Sequence, residues 1–133
     1  MNISDNGKVV GNGIDIVEID RIKKAVENGK EGFLRRVFTD NELKYANQHK
    51  YIYERLAVRF AAKEAVLKAF DSGKAKFMRL KDVEIFNDEN GKPYVEVHGD
   101  TKKLKDKENI DKILISMSHS KEYAIANAIL IKK

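Results

Sequence analysis

Apolar residues along this 133-residue chain recur first with a helical period and then with a period of two. Val9-Val10 leads through Gly11-Asn12-Gly13 into Ile14-Asp15-Ile16-Val17, which reads as a strand with a flexible, glycine-flanked interruption. From about Glu18 to Asn28 the positions Ile19, Ile22 and Val26 fall at helical spacing, with Asn28-Gly29 as the expected stop. Thr39-Asp40-Asn41-Glu42 has the spacing of a capping box and starts a helix running to about Gln48. A long helix is predicted from Tyr53 to Phe70, ending before Asp71-Ser72-Gly73, where glycine supplies a cap or turn. Beyond it, Val83–Phe86 and Pro93–Val97 flank an Asn90-Gly91 hairpin signal, and residues 102–107 read as a short helix or loop. Ile113–Ser118 and Tyr123–Ile131 are strands around His119-Ser120-Lys121-Glu122. Helices first and antiparallel strands afterwards predict an α+β fold. With no repeat or linker, residues 1–133 read as one domain whose first eight residues are loosely held.

The long helix carries the most specific chemistry. Between Leu56 and Phe70 only Arg59, Lys63, Glu64 and Lys68 are charged. At about 100° per residue, Arg59 and Lys63 share one azimuth, while Glu64 and Lys68 lie on a second stripe beside Ala57 and Ala61. A carboxylate among alanines on a buried helix must be paired, neutralised or bound to a metal. The plain alternative is an i, i+4 Glu64–Lys68 pair contributing about 0.2–0.5 kcal/mol.

Composition narrows the classes. No run approaches the roughly 18 apolar residues of a membrane span, and Met1–Gly7 lacks a signal-peptide pattern, so no membrane association and a cytoplasmic location are expected. The absence of cysteine leaves oxygen and imidazole as metal ligands, which favours a hard cation such as Mg²⁺. A net charge of +5 suits an acidic or phosphorylated partner. Arg21-Ile22-Lys23-Lys24 and Phe33-Leu34-Arg35-Arg36 concentrate that charge and suit docking of an acidic helix, although solvated amphipathic faces read the same way. Ser116, Ser118 and Ser120 alternate to one face if the strand runs on, with His119 at its end, a set suited to phosphate oxygens. A non-catalytic basic module binding nucleic acid is the competing class. Its support is the pI of about 9.3 alone, and the sequence has no aromatic stacking motif, zinc-finger or helix-turn-helix signature.

Three blocks taken together resemble one family: Gly11-Asn12-Gly13-Ile14-Asp15-Ile16-Val17-Glu18-Ile19-Asp20-Arg21-Ile22, then Arg59-Phe60-Ala61-Ala62-Lys63-Glu64-Ala65 with Lys68, and Ser116-Met117-Ser118-His119-Ser120. Val37-Phe38-Thr39-Asp40-Asn41-Glu42 and Asn90-Gly91-Lys92-Pro93-Tyr94 add to the match. The family is that of the bacterial holo-[acyl-carrier-protein] synthases, which are 4′-phosphopantetheinyl transferases. The resemblance implies that Asp15 and Glu64 ligate Mg²⁺ at the diphosphate of coenzyme A, and that Lys68 neutralises charge on the transferred phosphate. Phosphopantetheine then moves to a serine of the acyl carrier protein and 3′,5′-ADP leaves. The general base stays open between a water relayed by Glu64 and direct abstraction by a carboxylate. The same resemblance implies nucleotide-binding roles for Arg59, Gly91, Pro93, Ser118, His119 and Ser120, and carrier-protein contacts for Arg21, Lys24 and Arg35. It also implies a homotrimer. The chain departs from the family pattern at Val58, where glycine is frequent, at Arg55, where an aromatic residue is common, and at Asp71-Ser72-Gly73-Lys74, where glycine usually follows the helix directly.

Overall fold

The computed structural model describes residues 7–70 and 78–133. The expected cap at Asp71-Ser72-Gly73 and the first six residues lie outside the described residues. The observed order is β1 (Lys8–Glu18), α1 (Ile19–Val37), α2 (Asp40–Asn47), α3 (Ile52–Ala69), a 3₁₀ turn (Leu80–Asp82), β2 (Val83–Asn87), β3 (Pro93–Val97), α4 (Gly99–Lys107), β4 (Ile110–His119) and β5 (Tyr123–Lys132). Three strands form one antiparallel sheet in the order β1-β5-β4, and β2 with β3 forms a separate hairpin. The α+β expectation holds.

Two expectations are corrected. Lys8 belongs to β1, opposite Lys132, and the glycines do not interrupt the strand: β1 pairs with β5 along its length, with one register shift between Val9 and Gly11. The glycines serve close packing instead. A Cβ on Gly13 stands 2.1 Å from the Ala65 carbonyl oxygen, and one on Gly11 stands 2.2 Å from that of Ala69, so α3 lies directly on the strand backbone. The second correction is the length of α1, which continues past Asn28-Gly29 to Val37. Glycine in a helix interior costs about 1 kcal/mol. Phe33, Leu34 and Val37 continue the stripe of Ile19, Ile22 and Val26 and bury enough apolar surface to outweigh it.

α3 fills the middle of the molecule. Ala57, Ala61, Ala62, Ala65 and Val66 are wholly buried, and on β5 below, Ala124, Ala126 and Ala128 are almost as closed. Alanine against alanine brings the helix near the sheet without deep interdigitation. The Thr39 capping box forms as predicted: the Glu42 backbone N–H donates to Thr39 Oγ1 and the Thr39 N–H donates to Glu42 Oε1. The hairpin turns at Gly91, whose φ of +82° suits glycine. Among the described residues no helix is long and apolar enough to cross a membrane.

Candidate active site

Strand alternation in β1 turns Asp15 toward α3 while Ile14 and Ile16 face outward. Lys68, in the last turn of α3, reaches across so that its Nζ donates to Asp15 Oδ1 at 2.8 Å and to the Ile14 carbonyl at 3.3 Å. The simple Glu64–Lys68 pair therefore does not form, because the ammonium is spent on β1. Glu64, half-buried one turn earlier, makes no hydrogen bond or ion pair among the described residues. Burial first, and then the neighbouring Asp15 charge, raise its pKa against the opposing pull of Lys68. Two carboxylates short of positive charge make a site that fits a hard divalent cation, which takes one or two carboxylates with phosphate and water oxygens.

Both acids and Lys68 line a cavity of about 400 Å³ between α1, α3 and β1, together with Arg21, Phe33 and Phe60. The site thus has a charged end and an aromatic wall. Sequence reasoning misses the Phe33 half of that wall because it ends α1 at Asn28, although the apolar stripe running on to Val37 carries the signal.

The remaining residues singled out from the sequence lie in three other places. Arg59 is buried, its guanidinium over the Tyr45 ring and its Nη2 donating to Asn87 Oδ1. Asn87 Nδ2 in turn donates to the Gly91 carbonyl at 3.0 Å, linking Arg59 to the turn that leads into Pro93. Burial lowers the Arg59 pKa, with Tyr45 opposing it. Ser118 and His119 end β4 exposed. Ser120 falls in the turn, where its Oγ accepts from the backbone N–H groups of Glu122 and Tyr123, so the serine alternation stops at Ser118. That turn borders a second cavity, about 390 Å³, lined by Glu18, Tyr53, Lys121 and Glu122 among others. On α1, Lys24 pairs with Asp20 at 3.0 Å and Arg35 with Glu31 at 3.3 Å, leaving Arg21 as the α1 cation at the first cavity.

Glu84 and Glu96 on the hairpin and His98, which follows it at the start of α4, bring their ligand atoms within 4.8 Å of one another. Glu84 is already taken, however, accepting from Thr39 and Asn41 on one oxygen and contacting His98 on the other.

Comparison with known proteins bears on this geometry. A model of the 4′-phosphopantetheinyl transferase superfamily matches residues 11–128. The chain is 48% identical over 123 residues to the holo-[acyl-carrier-protein] synthase of Alkaliphilus oremlandii, covering 92% of this chain and 99% of that one. The crystal structure of holo-[acyl-carrier-protein] synthase from Neisseria meningitidis aligns with a TM-score of 0.83 at 29% identity, over 94% of this chain and all of that one (100%). A holo-(acyl-carrier-protein) synthase from Bacillus anthracis, in complex with CoA (3′,5′-ADP), aligns with a TM-score of 0.77 at 36% identity, over 94% and 98% of the two chains. Sequence match and shared architecture over nearly the whole length place this chain in the 4′-phosphopantetheinyl transferase superfamily, a family of enzymes.

Proposed function

We propose that this chain transfers the 4′-phosphopantetheine group of coenzyme A to a serine hydroxyl of an apo acyl carrier protein, releasing 3′,5′-ADP. The observation that carries the reading is the convergence of Asp15, Glu64 and Lys68 on one cavity, in a chain similar to synthases of that activity. Asp15 and Glu64 would hold Mg²⁺, which when bound offsets the charge of the diphosphate. In the reaction the serine hydroxyl gives its proton to a carboxylate of the site, directly or through a water relayed by Glu64, its oxygen forms a bond to the β-phosphorus as the bridging P–O bond breaks, and the bridging oxygen leaves with 3′,5′-ADP. Lys68 stands beside the acids, where its ammonium neutralises charge on the phosphoryl group in transit. Phe33 and Phe60 keep one side of the cavity dry, which strengthens those electrostatic contacts. Arg21 at the cavity edge grips the acidic carrier protein.

The candidate nucleotide residues Arg59, Gly91, Pro93, Ser118, His119 and Ser120 do not line this cavity. A site shared between subunits accommodates that separation. The outward face of the three-stranded sheet exposes Ile14, Ile16, Leu114, Tyr123 and Ile125, each at 38% or more of its surface, which supports association through this face. The state that the family resemblance implies, a homotrimer, is checked by light scattering of the eluted enzyme.

The deciding experiment is intact-mass spectrometry of an apo acyl carrier protein incubated with this protein, coenzyme A and Mg²⁺, with and without chelator. A chelator-sensitive gain of one phosphopantetheine is expected. No gain with several carrier proteins, from a folded sample, would refute the reading.

A further inference from the structure

Glu42 lies on α2 and does not line the site cavity, yet it is one of the most closed side chains in the protein, at 1% exposure. Its Oε1 accepts from the Thr39 N–H at 2.8 Å and faces Lys63 Nζ at 2.6 Å, and its Oε2 accepts from the Ile85 N–H at 2.9 Å. Lys63, with no exposed surface, also donates to the carbonyls of Leu80 (3.2 Å) and Val83. One ion pair thus ties α2, α3 and the start of the hairpin together. Arg59, one turn earlier on α3, bonds to the far end of the same hairpin through Asn87.

The helix held in this way needs directional bonds. Over much of β5 its contact with the sheet is alanine on alanine, and such small side chains make shallow ridges that set spacing better than rotation, with Leu130 on β5 and Ile113, Ile115 and Met117 on β4 adding bulkier groups to the same core. Gly11 and Gly13 set how near α3 approaches β1, again without fixing its angle. Replacing a buried ion pair by apolar residues of equal volume is often neutral for stability, so what the charged pair adds here is direction. Lys63 and Glu64 are consecutive, about 100° apart around the helix. A carboxylate roughly 6 Å from the axis moves about 1 Å for each ~10° of rotation, and a 1 Å misplacement costs on the order of 10²-fold in rate.

We infer that Glu42 is a positioning residue: through Lys63 it fixes the rotation of α3, and thereby where Glu64 and Lys68 stand relative to Asp15. The inference deepens the proposed transfer and rests on Asp15 and Glu64 being the metal carboxylates.

The test is the double variant Glu42→Gln/Lys63→Met, which removes both charges of the pair together. Mn²⁺ binding is followed by electron paramagnetic resonance in the presence of coenzyme A, beside kcat and the KM for carrier protein. The expected result is a folded protein that binds Mn²⁺ at least about tenfold more weakly and turns over at least about tenfold more slowly, with the carrier-protein KM unchanged. A folded double variant with wild-type Mn²⁺ affinity and kcat overturns the inference. If the double variant does not fold, Glu42→Asp, which keeps the charge and shortens its reach, is judged by the same two readouts. Wild-type protein that binds Mn²⁺ but transfers nothing refutes the proposed function, while the Mn²⁺ affinities still decide the role of Glu42.

Discussion

Replacing Gly13 by alanine puts the packing of α3 on β1 to a direct test. The added Cβ would stand 2.1 Å from the Ala65 carbonyl oxygen and 2.7 Å from the Ala69 nitrogen, where ordinary contact begins near 3.4 Å. Strand and helix must then part by about 1.3 Å. α3 cannot swing freely, since Arg59 and Lys63 hold its other side to the hairpin, so the strain falls on the residues next to the contact, Glu64 and Lys68. The Lys68–Asp15 bond of 2.8 Å stretches to about 4 Å and ceases to be a hydrogen bond. Overpacking of this kind costs about 1–3 kcal/mol, or roughly 4–12 °C in Tm for a chain of this size. A displacement near 1 Å at the reacting groups lowers turnover by about 10²-fold, equivalent to about 2.7 kcal/mol of barrier. Melting curves and single-turnover transfer, measured well below both midpoints so that every molecule is folded, separate the two effects. Gly32→Ala is the control: its Cβ meets only the Arg36 guanidinium at 3.7 Å, and removing an interior helix glycine raises Tm by a few degrees. A Gly13→Ala protein that melts and transfers like wild type would refute the close-approach argument.

Glu64→Gln and Asp15→Asn are expected to fold normally and lose at least about 10²-fold in transfer, read by intact mass across a Mg²⁺ titration; full activity in either removes the metal assignment. Arg21→Ala should raise the carrier-protein KM about tenfold, more at low than at high salt, while coenzyme A affinity stays put; equal loss of both contradicts a carrier-specific role. Burial would raise the Glu84 pKa, but hydrogen bonds from Thr39, His98 and Asn41 outweigh it and hold the group below its ordinary 4.5. Folded protein then binds that proton less tightly than unfolded protein, so the stabilisation is present above 4.5 and fades as pH falls through the lower folded value. His98→Ala should therefore cost about 1 kcal/mol near pH 6 and progressively less as the pH falls below 4.5 in urea titrations; a pH-independent difference contradicts this linkage.

Much of this architecture was legible because single residues carried unambiguous local rules. The capping box at Thr39 and Glu42, the Asn90-Gly91 turn and the period-two runs after residue 80 each led to the observed element. The length of α1 was not legible from its punctuation, because Asn28-Gly29 is a sound local stop that tertiary burial of Phe33 and Val37 overrides. At the site, the two charged stripes of α3 were visible in the sequence, one buried and one at the cavity. The partner of Lys68 was not, since the choice of Asp15 over Glu64 depends on how near the glycines of β1 let the helix approach. Nor does any spacing rule show that Glu42 faces Lys63, because that contact depends on how α2 folds back over α3.

The register shift between Val9 and Gly11 also says where this chain can change length. One residue added ahead of that bulge is absorbed by the bulge itself, which already holds an unpaired position at the end of an edge strand. One residue added between Gly13 and Asp15 reverses every side chain beyond it: Asp15 turns outward into an apolar face, and Ile14 or Ile16 turns in against α3. A single insertion is thus absorbed next to Val9 and reverses the site from Gly11 to Val17, so the odd and even count of a seven-residue stretch ties the acid of the site to the outer face of the sheet.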